Sequence, residues 1–254
     1  MRSLVNQVKH MSVKARHAKN NVDFLDNSLK DQTCQNIIKS MKSIPLKELG
    51  IEGTDHKSDQ YHFQSPLNKV TIEANDDYRL VLFFIKKGQV MPLHDHPNMS
   101  VYFKLMYGKL SYNSFDKVDS KFVYNQFSND EYDELLETNA VISAKKSKRK
   151  VLESGNLLLV RPSCGNMHKF YAEEDSCFFD ICLPNYTTDS LRRITYFNEI
   201  SDQVTCEDPC NELEKHDRQI KLQYHTTPPV MPFDFEVAEL QYRGNFSNDA
   251  KIFG

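Results

Sequence analysis

The chain has 254 residues, 39% of them hydrophobic and 26% charged, with a formal net charge of −3. That is enough apolar material for one generous domain or two small ones, and it offers no overall basic field of the kind that nucleic-acid binding needs. No uninterrupted apolar run approaches the ~18–20 residues that span a bilayer as a helix.

Arg2, Lys9, Lys14, Arg16 and Lys19 all precede the first acid, Asp23. The charge pattern resembles a transit peptide, but a basic N-terminal helix or arm is the reading adopted. Between Asn21 and Leu49, the residues Leu25, Leu29, Ile37, Ile38 and Met41 recur at spacings near three and four, and Pro45 ends the run. That pattern predicts helix. Residues 1–60 are therefore read as a helical extension packed on a unit formed by residues 61–254.

After Gly53 the character changes. Val70–Glu73 and Tyr78–Ile85 are rich in β-branched and aromatic residues, with the turn signal Asn75-Asp76-Asp77 between them. Further strands are predicted at Val101–Tyr107, Lys109–Phe115, Asn156–Val160 and Ser176–Leu183, punctuated by Gly88, Gly108, Gly155 and Gly165. Short strands with frequent turns and no alternating helices predict a mainly β sandwich or barrel. The acidic run Asn129–Thr138 and the basic run Lys145–Lys150 read together as one long solvated excursion, in preference to a nuclear-localisation signal. Ser201–Lys221 reads as polar and irregular, and the aromatic tail Phe233–Phe246 as chain laid back over the barrel.

His94-Asp95-His96 carries the chemistry. In extended chain, residues i and i+2 share a face, so both imidazoles reach one point while Asp95 faces away. Neutral imidazole suits iron, zinc, copper or nickel. Gly88 precedes His94 with five residues between, and Gly108 follows His96 with eleven between. These spacings reproduce the first cupin motif, Gly-x5-His-x-His-x4-Glu-x6-Gly, except that Val101 stands at the acid position. Gly155, Pro162, Gly165 and His168 resemble the second cupin motif, with two of its gaps one residue longer. The fold implied is a cupin double-stranded β-helix with N-terminal helices, and the metal ligands implied are His94, His96 and His168. A missing carboxylate leaves the full divalent charge for the substrate, which favours an anion such as a thiolate.

The stretch Pro92-Leu-His-Asp-His-Pro-Asn-Met99, with Lys104-Leu-Met-Tyr-Gly108, Asn166-Met-His168 and Phe178–Tyr186, resembles the cysteamine dioxygenase and plant cysteine oxidase family. That resemblance implies oxidation of an amino-thiol to its sulfinic acid, with Fe(2+) as cofactor and both atoms of O2 incorporated. The implied substrates are cysteamine or the N-terminal cysteine of proteins, the latter in an oxygen-sensing context. By position, Asp180 matches the acid of the family's pocket, where it could hold the substrate ammonium. Tyr186 matches its tyrosine, whose hydroxyl could reach a bound oxygen species, although Pro184-Asn185 precedes it here in place of Pro-Pro. The family's Cys-x-Tyr pair is Ile194-Thr195-Tyr196, so no thioether can form. Neither core motif supplies an obvious arginine, which argues for substrates without a free α-carboxylate.

The remaining candidates read as bland. Cys206 and Cys210, with His216 and His225, lack the spacing of a zinc site. Cys164 reads as a small residue in a tight turn, and Cys177 and Cys182 lie an odd number apart and so point to opposite faces. Scattered cysteines and no signal-peptide pattern favour a reducing compartment, read as cytoplasmic with nucleus or mitochondrion as alternatives. The partners expected are O2 and the thiol substrate, without nucleic acid or membrane, for a monomer. A cupin isomerase, a carbon-substrate dioxygenase and a non-catalytic cupin are the competing readings.

Overall fold

The computed structural model describes residues 1–51, 65–200, 218–225 and 237–240. Three helices come first: α1 (Arg2–His17), α2 (Asn21–Asp26) and α3 (Gln32–Ser43). The stretch expected to be helical from Asn21 is broken by its own caps. Asn20 accepts from the Val22 and Asp23 amides to start α2, and Asp31 accepts from the Thr33 amide at 2.7 Å to start α3. Leu29 falls in the turn between them and is 41% exposed, so it is not part of the apolar face. The basic N-terminal segment is packed: Leu4, Val5, Val8, Met11 and Ala15 of α1 are buried along one stripe.

The strands are β1 (Leu67–Ala74), β2 (Arg79–Ile85), β3 (Val90–Asp95), β4 (Ser100–Tyr107), β5 (Lys109–Lys117), β6 (Val141–Lys146), β7 (Lys150–Glu153), β8 (Leu157–Val160), β9 (Met167–Ala172), β10 (Ser176–Leu183), β11 (Tyr196–Ile200), β12 (Arg218–His225) and β13 (Val237–Leu240). They form two sheets, ordered β13-β1-β2-β10-β4-β8 and β6-β12-β11-β3-β9-β5-β7, and β6 also pairs with β5. From β2 to β5 successive strands alternate between the sheets, and β7 to β10 alternate back. The chain therefore winds twice around a common interior, which is the expected double-stranded β-helix.

Two-residue periodicity sorts the side chains of the first sheet. Leu80, Leu82 and Phe84 of β2, with Cys177, Phe179 and Ile181 of β10, share one apolar cluster with the buried faces of α1 and α3. The intervening residues Phe83 and Phe178, with Phe103 of β4, point into the barrel. Lys104 is buried at the junction, where its Nζ donates to the Lys42 and Ile44 carbonyls, each at 3.1 Å, and so caps the end of α3. Gly108 turns the chain from β4 to β5 with φ +89°, and a Cβ there would collide with Ser176 Oγ and the Asp175 carbonyl.

The acidic and basic runs are not one solvated loop. A second helical segment, α4 (Ser120–Val123) and α5 (Asn129–Glu137), follows β5. Ser128 and Glu131 form a capping box at the start of α5, and its Tyr132 and Leu136 are buried. The basic run begins inside β6, whose Ile142 and Ala144 are buried, and Lys146 pairs with Glu199 at 2.5 Å. The dense charge of these two runs masks a thin apolar stripe, which is why the segment reads as solvated from its sequence. Within Ser201–Lys221 only residues 218–221 are described, and they are strand, not irregular chain. Of the tail, β13 runs parallel to β1 at the sheet edge, in keeping with chain laid over the barrel. Cys206, Cys210 and His216 lie outside the described residues. Among the described residues no helix is long and apolar enough to cross a membrane.

Candidate metal centre

His94 lies near the end of β3, His96 just beyond it, and His168 on the neighbouring β9. The antiparallel register sets His94 directly opposite His168 and also opposite Tyr196 of β11. Asn166 pins His96: its Nδ2 donates to the His96 carbonyl at 2.6 Å, and the His96 amide donates to the Asn166 carbonyl at 3.2 Å. One ligand atom from each histidine lies within 4.8 Å of the others, and all three rings are buried. This group could hold a metal ion.

The hydrogen bonds orient the rings for that purpose. His94 Nδ1 donates to the Pro92 carbonyl at 2.8 Å, which leaves Nε2 as the free acceptor. The Tyr186 hydroxyl donates to the Asp95 carbonyl at 3.1 Å and receives the Nδ1 proton of His96. His96 Nε2 and His168 Nε2 then face each other at 3.3 Å. With the His96 proton held on Nδ1, the lone pair of its Nε2 points into the space the three rings share, as a metal ligand's would. Burial pushes all three imidazoles below the ordinary histidine value, and their mutual repulsion lowers His96 and His168 further. The rings are therefore neutral and competent as ligands at neutral pH.

Asp95 points outward, as the alternation requires. Its Oδ2 pairs with Lys117 at 2.8 Å and its Oδ1 accepts from the Thr195 amide at 2.9 Å. Val101, at the position of the absent acid, is buried with Met99, Val160 and Cys182, with Tyr186 packed against them. Val101 is not among the residues lining the cavity beside the histidines, so no carboxylate joins them from that motif position.

The three histidines open into a cavity of about 240 Å³. Its base is closed by aromatic packing: Phe83 stacks on Phe178 at 5.1 Å, Phe103 on Phe170 at 5.1 Å, and Phe170 lies 4.9 Å from His168. Asp180 is in mid-strand of β10 and faces the cavity with Oδ1 buried and unpartnered. Burial raises its carboxyl well above the usual carboxylate range. Tyr186 and Tyr196 also line the cavity, Tyr186 with its hydroxyl on the outer nitrogen of His96.

Arg79 lines the cavity too, and the motifs had hidden it. The expectation of a pocket without arginine does not hold, because the residue comes from β2, outside both metal motifs. The spacing Arg79-x-Val81-x-Phe83 was its signal, but period two cannot tell the inner face from the outer one. Arg161 faces the helices, donating to the Asp26 carbonyl at 2.8 Å. Cys164 is exposed in the turn beside it and does not line the cavity. Cys177 and Cys182 do point to opposite faces, one under the helices and one toward the cavity.

Comparison with known proteins gives a consistent grouping. A family model described as PCO_ADO matches residues 5–246. The "Probable 2-aminoethanethiol dioxygenase" of Dictyostelium discoideum is 23% identical over 178 residues, covering 66% of this chain and 72% of that protein. The "2-aminoethanethiol dioxygenase" of Mus musculus is 26% identical over 53% of this chain and 55% of its own length. "Plant cysteine oxidase 1" of Arabidopsis thaliana is 27% identical over 56% of this chain and 45% of its own. The alignments thus span about half the length of the mouse and plant relatives. A solved double-stranded β-helix protein from Klebsiella pneumoniae covers 53% of this chain and 93% of its own, with 15% identity and a TM-score of 0.34.

Proposed function

The chain belongs to the PCO_ADO family, and from that premise we propose that it is an Fe(2+)-dependent thiol dioxygenase. It oxidises an amino-thiol, cysteamine or an N-terminal cysteine, to the sulfinic acid with both atoms of O2. The observation that carries this reading is the neutral face of His94, His96 and His168, with Val101 in place of a carboxylate.

When bound by these histidines, ferrous iron supplies the electrons for dioxygen chemistry and a positive charge suited to a thiolate. The chain's own residues supply the rest. Pro92 and Tyr186 hold the Nδ1 protons of His94 and His96, so the inner nitrogens stay free. Asp180 faces the cavity without a partner and takes the substrate ammonium, becoming ionised as it does so. The phenylalanine base keeps water from the reacting sulfur.

Residues 1–60 are proposed as an extension of the catalytic unit 61–254, supported by the apolar cluster that α1, α3 and the first sheet share. A cytoplasmic monomer completes the proposal. The cysteines described, Cys34, Cys164, Cys177 and Cys182, are all free, as a reducing compartment would keep them. Iron-loaded protein incubated in air with cysteamine or a Cys-initiated peptide should add two oxygen atoms to the thiol, read by mass spectrometry. No such product from either thiol would sink the assignment.

A further inference from the structure

Along β2 the residues Arg79, Val81 and Phe83 face the cavity in turn. Phe83 lies at the aromatic base, Val81 pairs across the sheet with Asp180, and Arg79 pairs with Cys182. Arg79 therefore stands one step further from the base than Asp180. Among the described residues its guanidinium has one hydrogen bond, from Nη2 to Thr71 Oγ1 at 3.2 Å. Nε is buried and meets no acceptor among them. Among the described residues no carboxylate forms an ion pair with it, Asp180 included.

The other cation of the cavity wall is different. Lys69 pairs with Glu239 at 2.9 Å and is already neutralised. Arg79 is thus the one uncompensated cation lining the cavity among the described residues. A buried donor without an acceptor calls for an explanation, and a planar guanidinium fork matches a carboxylate with two parallel hydrogen bonds.

We propose that Arg79 is the carboxylate-reading residue of this pocket, so that the preferred amino-thiol carries an anionic group as well as its ammonium. The inference rests on the thiol dioxygenase reading and deepens it. Asp180 and Arg79 then hold opposite charges of one substrate, which fixes its orientation with the thiol directed at the three histidines. The carboxylate has two sources: the α-carboxylate of free cysteine, or an acidic side chain following an N-terminal cysteine.

The test compares matched pairs on wild-type protein and on the Arg79→Gln and Arg79→Lys variants. Cysteine is paired with cysteinamide, and the peptide Cys-Asp-Gly amide with Cys-Asn-Gly amide. Wild type should favour the acid of one pair about tenfold or more in kcat/KM. The pair that shows it identifies the source. Arg79→Gln should erase that preference chiefly through KM, and Arg79→Lys should restore part of it. Calorimetric binding of the non-oxidisable isosteres, serine against serinamide and Ser-Asp-Gly amide against Ser-Asn-Gly amide, reads recognition without turnover. Oxidation with no preference in either pair overturns the proposal and spares the reaction. An Arg79-dependent preference in binding, without oxidation of any thiol, overturns the reaction and spares the subsite. Absence of both preferences, or an equal loss on all four thiols in Arg79→Gln, also overturns the proposal.

Discussion

Lys117 Nζ lies 2.8 Å from Asp95 Oδ2, with the two side chains only 3% and 1% exposed, so the residue between two candidate ligands is anchored from behind by a buried ion pair. Burial alone would lower the Lys117 ammonium, but the Asp95 carboxylate outweighs it and holds the lysine above its ordinary value. Breaking one side of such a pair leaves a buried charge alone and costs about 3–5 kcal/mol, whereas removing both is far milder. Lys117→Met should therefore destabilise the protein by about 3 kcal/mol. Lys117→Met combined with Asp95→Asn should recover part of it. Urea unfolding of the three variants checks this, and an additive double variant would contradict it.

Tyr186→Phe removes the hydroxyl that receives the His96 Nδ1 proton. The fold should survive, since the ring still packs beside Val101 and Cys182. Iron affinity should fall about tenfold, the usual effect of losing such an orienting partner. Competition with a chelator, followed by metal analysis, measures it. His168→Ala should abolish binding in the same assay.

Asp180 governs a pH effect. Burial raises its folded-state value above the unfolded one. The folded state then binds the extra proton, so this group's contribution is complete below the unfolded carboxylate value and is lost as pH rises toward the folded one. Asp180→Asn should accordingly have a higher Tm than wild type at pH 7–8, and the gap should close near pH ~4, around the unfolded aspartate value. The same variant should raise KM for amino-thiols about tenfold or more through loss of the ammonium's partner. Equal stability of the two proteins across the whole range would refute the buried-acid reading.

Lys104→Met deletes the cation that caps α3 from β4. Two carbonyls at the helix–sheet junction, that of Ile44 buried and that of Lys42 part-buried, lose their donor, at a cost of about 1–3 kcal/mol. Limited proteolysis should cut first in the N-terminal helices while the barrel persists.

Particular residues show what could be read beforehand. The spacing of Gly88, His94, His96 and Gly108 was enough to predict the barrel and two adjacent rings, because a two-residue period and the turn glycines are local properties. His168 came from a second spacing pattern, and the register of β3 with β9 brings it opposite His94. Leu29 was misplaced because the Asp31 cap competes with the helical period. The run 129–150 reads as solvated from its sequence because α5 and β6 bury only alternate or widely spaced apolar residues.

What the sequence alone determined is the identity and local pairing of the metal-binding candidates, together with the vacancy of the carboxylate at Val101. Tertiary structure decided which face of each strand looks inward. Local periodicity is symmetric between the two faces of a strand, and only the packing of helices on one side of the first sheet breaks that symmetry. The same choice put Arg79 and Asp180 into one cavity and set Lys117 behind Asp95.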